Sequence, residues 1–165
     1  MVLKLKKVFQ DESETIHLAT TVDLSNTEFH GTKPFVQPVR VDVKVFSRAG
    51  MIFMNLAAHF CCCFVCDRCA CEFERDFDRK YEHILVLQLS DESGDDYIEV
   101  PEYQIELDRI VREDIILDLP SKLLCGDDCK GLCPICGRNL NEGDCGCLRA
   151  EADPRLAALS EFFSG

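Results

Sequence analysis

The chain has 165 residues, 47% hydrophobic and 29% charged, which is the composition of one globular domain with a real core rather than of a disordered or fibrous polypeptide. No apolar run approaches the ~20 residues needed to cross a bilayer as a helix, and Met1 to Gln10 alternates charged with apolar residues, without the hydrophobic block of a secretory signal. The net charge of −12, from 18 basic and 30 acidic side chains, disfavours a surface-wide grip on a phosphate backbone.

In chain order, residues 1–120 read as a β-rich domain that closes with a helix. Lys4 and Lys6 fall on one face of a first strand with Lys7 beside them. That face is either solvated or the place where a weak RNA contact would form. Val39, Val41, Val43 and Val45 alternate with Arg40, Asp42 and Lys44, the period-two pattern of a half-buried strand. Arg48-Ala49-Gly50 predicts a turn, Met51 to Phe64 a second strand, and Glu72 to Leu89 a third. Together they predict one antiparallel sheet or a partly open β-barrel.

Residues 91–96, Asp-Glu-Ser-Gly-Asp-Asp, combine charge with turn formers and read as a mobile acidic loop, the alternative being a patch for a cation or partner. From residue 107 to 118 the spacing turns helical, with Leu107, Ile110, Val111 and Ile115 on one face and Pro120 bounding the end. Residues 121–165 read as a cysteine-rich, zinc-binding segment that ends in a short helix. Asp153-Pro154-Arg155 supplies its cap, and Leu156, Leu159, Phe162 and Phe163 form an apolar face predicted to pack on the same domain. The predicted class is α+β.

The chemistry lies in the 12 cysteines. The absence of a secretory signal predicts a cytoplasmic protein, where thiols stay reduced and paired cysteines point to metal rather than disulfides. Eight of them form four close pairs: Cys66/Cys69, Cys125/Cys129, Cys133/Cys136 and Cys145/Cys147. Zinc imposes no ligand-field geometry and is satisfied by four thiolates in a tetrahedron, so four pairs predict two zinc ions. Cys133-Pro134-Ile135-Cys136-Gly137 is the most specific element, a zinc knuckle whose glycine relieves the backbone where its amides turn toward sulfur. Its simplest partner is Cys145-Gly146-Cys147, across a short turn-rich loop. Cys66 and Cys69 then pair with Cys125 and Cys129, clipping the helix to the sheet. Arg68, Lys130 and Arg138 sit beside these ligands and would offset part of their charge. Eight thiolates and two divalent ions still leave a further charge of about −4, which makes strong direct RNA binding harder to argue.

Other readings compete. Cys66-Asp67-Arg68-Cys69 has the spacing of a redox dithiol, but no helix start lies there to lower a thiol pKa, and Glu72, Glu74 and Asp76 follow. Cys61, Cys62, Cys63 and Cys71 suit the strand core as small apolar residues; a third metal site with His59 is the alternative. The histidines 17, 30, 59 and 83 stand singly, and no phosphate-binding loop or nucleophile elbow occurs, so no enzyme is indicated.

Cys66-Asp-Arg-Cys69 after a β-rich half, Leu107 through Pro120, Cys125-Gly-Asp-Asp-Cys129-Lys-Gly-Leu-Cys133-Pro-Ile-Cys136-Gly-Arg-Asn-Leu-Asn, and the ending Asp153-Pro-Arg-Leu-Ala-Ala-Leu159 together resemble the YceD family of bacterial large ribosomal RNA subunit accumulation proteins. Ala70 and the Cys61-Cys62-Cys63 run depart from the family pattern beside the first pair, without touching its ligands. The resemblance implies a role in accumulation of 23S ribosomal RNA and biogenesis of the large ribosomal subunit. The expected partners are therefore subunit assembly intermediates or ribosomal proteins. The resulting expectation is a non-enzymatic zinc-binding assembly factor; the alternative is a thiol-based redox or zinc-responsive protein using Cys66 and Cys69.

Overall fold

A computed structural model describes residues 1–88 and 97–147. The elements run β1 (Val2–Lys4), α1 (Lys6–Gln10), β2 (Thr15–Val22), β3 (Val39–Arg48), β4 (Met51–Val65), β5 (Glu72–Val86), β6 (Tyr97–Glu99), a 3-10 turn over Pro101–Tyr103, β7 (Gln104–Glu106) and α2 (Leu107–Asp118). The predicted acidic loop at 91–96 and the terminal helix from Asp153 lie outside the described residues.

The main sheet has the order β2-β3-β4-β5-β6. β3 and β4 form a hairpin around Ala49 and Gly50, whose φ values of 53° and 76° are the left-handed pair that a tight two-residue hairpin demands. β4 and β5, each 15 residues, stay in register from Ile52 opposite Leu85 to Val65 opposite Glu72. The alternation in β3 is obeyed residue by residue: Val39, Val41, Val43 and Val45 are buried while Arg40, Asp42 and Lys44 are exposed.

Of the two expected architectures, the open sheet is the one formed: among the described residues its edge strands β2 and β6 do not pair with each other. Two expectations need correction. The sheet is mixed rather than antiparallel, because β6 runs parallel to β5. The amino terminus differs as well. Only Val2–Lys4 is strand, pairing with β7, and the chain then turns into α1. Lys4, Lys6 and Lys7 therefore do not share a strand face, although all three are exposed. The helix wins because Leu5 and Val8, three residues apart, both reach the core (0% and 1% exposed).

α2 packs on one face of the sheet through Leu107, Ile110, Val111 and Ile115, the residues that the helical spacing selects. Polar contacts fix its far side: His83 Nε2 lies 2.8 Å from Asp114 Oδ2, and Arg79 pairs with Asp118. The end of α2 thus points toward the tip where β4 turns into β5, and the cysteines lie around that tip. No described helix is long and apolar enough to cross a membrane.

Candidate metal centre

The β4–β5 tip is a knuckle. The Cys66 amide donates to the carbonyl of Cys71 at 2.9 Å and the Ala70 amide donates to the carbonyl of Cys66 at 2.9 Å, with Ala70 at φ 56°. The turn at Cys133 repeats this pattern. There the Cys133 amide donates to Arg138 O and the Gly137 amide to Cys133 O, both at 2.8 Å, with Gly137 at φ 73°. The second knuckle is announced by its glycine. The first is hidden because alanine stands at the left-handed position, where an L side chain costs free energy.

The chain after α2 is strapped to the first knuckle by backbone and side-chain hydrogen bonds. Asp67 and Leu123 bond reciprocally, with Leu123 N–H to Asp67 Oδ2 at 2.7 Å and Asp67 N–H to Leu123 O at 2.8 Å. Arg75 donates to Leu124 O at 2.7 Å and Arg68 to Cys129 O at 3.0 Å. The Leu132 amide donates to Arg68 O at 3.1 Å, and the chain passes so close here that a Cβ on Gly131, at φ +76°, would meet that same oxygen at 3.1 Å.

This strap brings the thiols into two groups of four, Cys66, Cys69, Cys125 and Cys129, and Cys133, Cys136, Cys145 and Cys147. Within each group the sulfurs all lie within 4.8 Å of one another. Cys66 Sγ to Cys129 Sγ is 3.8 Å and Cys69 Sγ to Cys125 Sγ is 3.6 Å. Four thiolates at ~2.3 Å from a central ion stand ~3.8 Å apart along a tetrahedron edge, so the first group has the dimensions of a tetrahedral thiolate cage. All four sulfurs are free thiols rather than disulfides.

The electrostatics fit a cation. Burial pushes the Cys66 thiol up, but the amides of Cys125, Cys69 and Arg68 overcome it and bring the pKa down to about 6. The Cys125 amide points at Cys66 Sγ from 3.4 Å. At Cys133 the amides of Cys136 and Ile135 again bring the value down to about 6. The side-chain amide of Asn141, 3.4 Å from Cys129 Sγ, is the main cause of the lowered pKa there. At least one sulfur in each group shifts the other way: Cys125 is raised, chiefly by Cys129, and Cys147 is pushed up to about 12 by Cys136 and Cys145. Each group therefore combines a thiol that ionises readily with one whose ionisation its neighbours oppose, a balance that entering positive charge would shift.

Of the basic residues expected to offset the charge, Arg68 acts through its guanidinium on Cys129 O. By contrast, Lys130 and Arg138 contribute backbone groups, to Asn141 Oδ1 and from Cys133 N–H. Asn139, Asn141, Asp67 and Gly131 were not singled out from sequence. The only sign of the asparagines there was the Asn139-Leu140-Asn141 spacing after the knuckle. Cys62 is fully buried and its pKa is pushed up to about 12 by that burial. Cys61 and Cys63 are part-buried and Cys71 is exposed, accepting from Asn139 Nδ2 at 3.1 Å. His59 is paired with Asp78, and no third group of metal-ligating side chains gathers among the described residues.

A β-rich chain whose longest hairpin ends in one knuckle and is strapped to a second defines a protein with two four-cysteine clusters. Residues 54–163 match the family described as "Large ribosomal RNA subunit accumulation protein YceD". The match spans 110 of the 165 residues, and the chain belongs to that family. It is 32% identical over 59 residues to "Large ribosomal RNA subunit accumulation protein YCED homolog 1, chloroplastic" of Arabidopsis thaliana, covering 36% of this chain and 18% of that protein. It is 23% identical over 162 residues to "Uncharacterized protein YlbN" of Bacillus subtilis (strain 168), covering 94% of this chain and 92% of that one. No solved structure matches. The family's description supports a role in accumulation of the large ribosomal RNA.

Proposed function

We propose that the protein is a non-enzymatic factor for large-subunit assembly, held in its working shape by two zinc ions. One is bound by Cys66, Cys69, Cys125 and Cys129, the other by Cys133, Cys136, Cys145 and Cys147. The observation that carries this reading is the convergence of eight thiols into two tetrads, with S–S edges of 3.6 and 3.8 Å in the first. Zinc supplies a four-thiolate cross-link at each site. The chain's own residues do the rest: the amides around Cys66 and Cys133 present a thiolate, Asn141 holds Cys129, and the Asp67–Leu123 pair aligns the two strands of chain that carry the ligands. Residues 121 onward then act as an extension of the β-rich unit of residues 1–120.

The family's name supports ribosomal RNA accumulation, which in a cytoplasmic protein means 23S ribosomal RNA in assembling large subunits. The direct partners are assembly intermediates or ribosomal proteins. Any RNA contact is small and local, through the exposed Lys4 at the end of β1 and Lys6 and Lys7 on α1, two elements that carry no acidic residue of their own. Such a contact is weak and steeply salt-dependent. A redox role draws support from the lowered Cys66 pKa, but a thiolate inside a tetrad of thiols is placed to bind metal rather than to attack a disulfide.

The test joins elemental analysis to affinity purification. Two zinc ions per chain and co-purification of large-subunit precursors are expected. One zinc ion would reduce the reading to the Cys133 site, while capture of thioredoxin-type partners through Cys66 would replace it with the redox one. Charge reversal at Lys4, Lys6 and Lys7 should weaken precursor association; unchanged association would exclude that face.

A further inference from the structure

The face of the main sheet turned away from the core is bare among the described residues, and strand register arranges its side chains in rows. One row is His17, Lys44, Asn55 and Glu82. The next is Ala19, Asp42, Ala57 and Lys80, and a third is Thr21, Arg40, His59 and Asp78. In every row β3 and β5 carry opposite charges, and the sign alternates from one row to the next. β4, between them, contributes no Asp, Glu, Lys or Arg over its whole length.

Within one chain these charges do not meet. Lys44 and Glu82 are separated by β4, two strand spacings of ~4.8 Å. Among the described residues Arg40, Asp42, Lys44, Lys80 and Glu82 form no ion pair, and only Asp78 is engaged, by His59. The next row toward the β3–β4 hairpin is apolar and crosses all five strands: Thr15, Phe46, Phe53, Ile84 and Tyr97. Phe46 and Phe53 stack at 5.7 Å, and Tyr97 is 36% exposed.

We propose that this face is the interface of a symmetric homodimer, with two copies packed sheet to sheet about a two-fold axis along β4. That rotation lays β4 on its own copy and β3 on the copy's β5 while keeping the rows. Lys44 then faces Glu82 of the second copy, Asp42 faces its Lys80 and Arg40 its Asp78, each twice. The apolar row also matches itself, with Phe53 on Phe53 and Phe46 on Ile84. Ala19 and Ala57 floor a depression of about 570 Å3 in the middle of the face, which leaves room for the opposing side chains.

A two-fold contact requires a self-complementary patch, and sign matching is what allows two chains of net charge −12 to meet. Four strands at ~4.8 Å and the six residue steps from the Phe53 row to the His59 row at ~3.3 Å give a footprint on the order of 400 Å2 per copy, the size of a weak, concentration-dependent contact. The acidic run Glu72, Glu74, Asp76, Asp78 and Glu82 on β5 makes a phosphate backbone a poor occupant.

The experiment is sedimentation of the full chain over a concentration series, together with the variants Lys44→Glu and Glu82→Lys. Both positions are exposed, and circular dichroism checks that the fold is kept. Wild type should dimerise, and each variant alone should self-associate about a hundredfold more weakly because like charges now face each other. An equimolar mixture of the two variants should dimerise again, since each supplies the charge the other needs. A monomeric wild type, variants that dimerise like wild type, or a mixture no tighter than its components would each overturn the proposal. Loss of ribosomal RNA by Lys44→Glu in a monomeric protein would hand the face to RNA.

Discussion

The sulfurs of Cys66 and Cys129, 63 positions apart in the chain, lie 3.8 Å from each other. Everything from β5 through α2 lies in the loop they close. A metal bridge here would remove much of the freedom of the unfolded chain, although the gain rises only slowly with loop length. The same bridge would tie the end of α2 to the tip of the longest hairpin and make the candidate centre and the core mechanically one object.

Cys129→Ser should therefore loosen α2 without unfolding it. Leu107, Val111 and Ile115 are 0% exposed and keep the helix on the sheet, while the strap at its end loses one sulfur and the Asn141 contact. Hydrogen exchange of the Leu107–Asp118 amides should speed up by about tenfold, equivalent to ~1.4 kcal/mol of local opening. Unchanged protection would mean that the cluster and the helix are independent.

Ala70→Gly should stabilise the protein. Ala70 is at φ 56° in a turn whose counterpart uses Gly137 at 73°. Relief of the left-handed strain, worth roughly 1–2 kcal/mol, exceeds the added entropy of glycine in the unfolded chain, roughly 0.5–1 kcal/mol. Thermal unfolding should shift upward by about 2–4 °C for each kcal/mol gained. A lower Tm would show that the Ala70 methyl makes contacts outweighing the strain.

Gly131→Ala should do the reverse. The added methyl meets Arg68 O at 3.1 Å at a backbone φ of +76°, so both the left-handed penalty and the close approach act together. A loss of about 2 kcal/mol in a urea titration is expected, with the Leu132 to Arg68 hydrogen bond lengthened. Gly126→Ala, with nothing near its Cβ and no positive φ, is the control and should cost less than half as much.

The sequence carried some of this plainly and hid the rest for physical reasons. Strand β3 and helix α2 were legible because each has one buried and one solvated face, which imposes the period. The Cys133 knuckle was legible because glycine marks its left-handed residue. The Cys66 knuckle was not, because Ala70 occupies that position under strain. Helix α1 escaped notice because Lys4-Leu5-Lys6-Lys7-Val8 is too short for its three-residue spacing to outweigh an apparent alternation. The parallel pairing of β6 left no mark because three residues carry too little pattern to set a direction. The Cys133 group followed from proximity along the chain, whereas Cys66 and Cys69 were matched with Cys125 and Cys129, 56 positions or more away, because that was the pair left over. The strap residues Asp67, Gly131 and Asn141 depend on tertiary contacts that no local pattern encodes.

In the metal-free, reduced protein, stability should rise with pH between about 6 and 9 and fall above it. Cys66 and Cys133 have folded values near 6 against an ordinary 9.0. Between those limits the unfolded chain binds more protons, so raising the pH favours the fold, and that contribution is lost as pH drops through 6. Above 9 the sign reverses. Cys62 and Cys147, both pushed up to about 12, stay protonated in the fold while the unfolded chain releases its protons, which favours unfolding. Urea midpoints of chelated protein across this range should pass through a maximum near pH 9. With metal bound, protons must displace the ion from the same thiolates, so release to a chromogenic chelator should need a pH below the metal-free value of about 6. A midpoint that declines steadily from pH 6 to 9 would mean that the amides around Cys66 and Cys133 do not hold thiolates in the absence of metal.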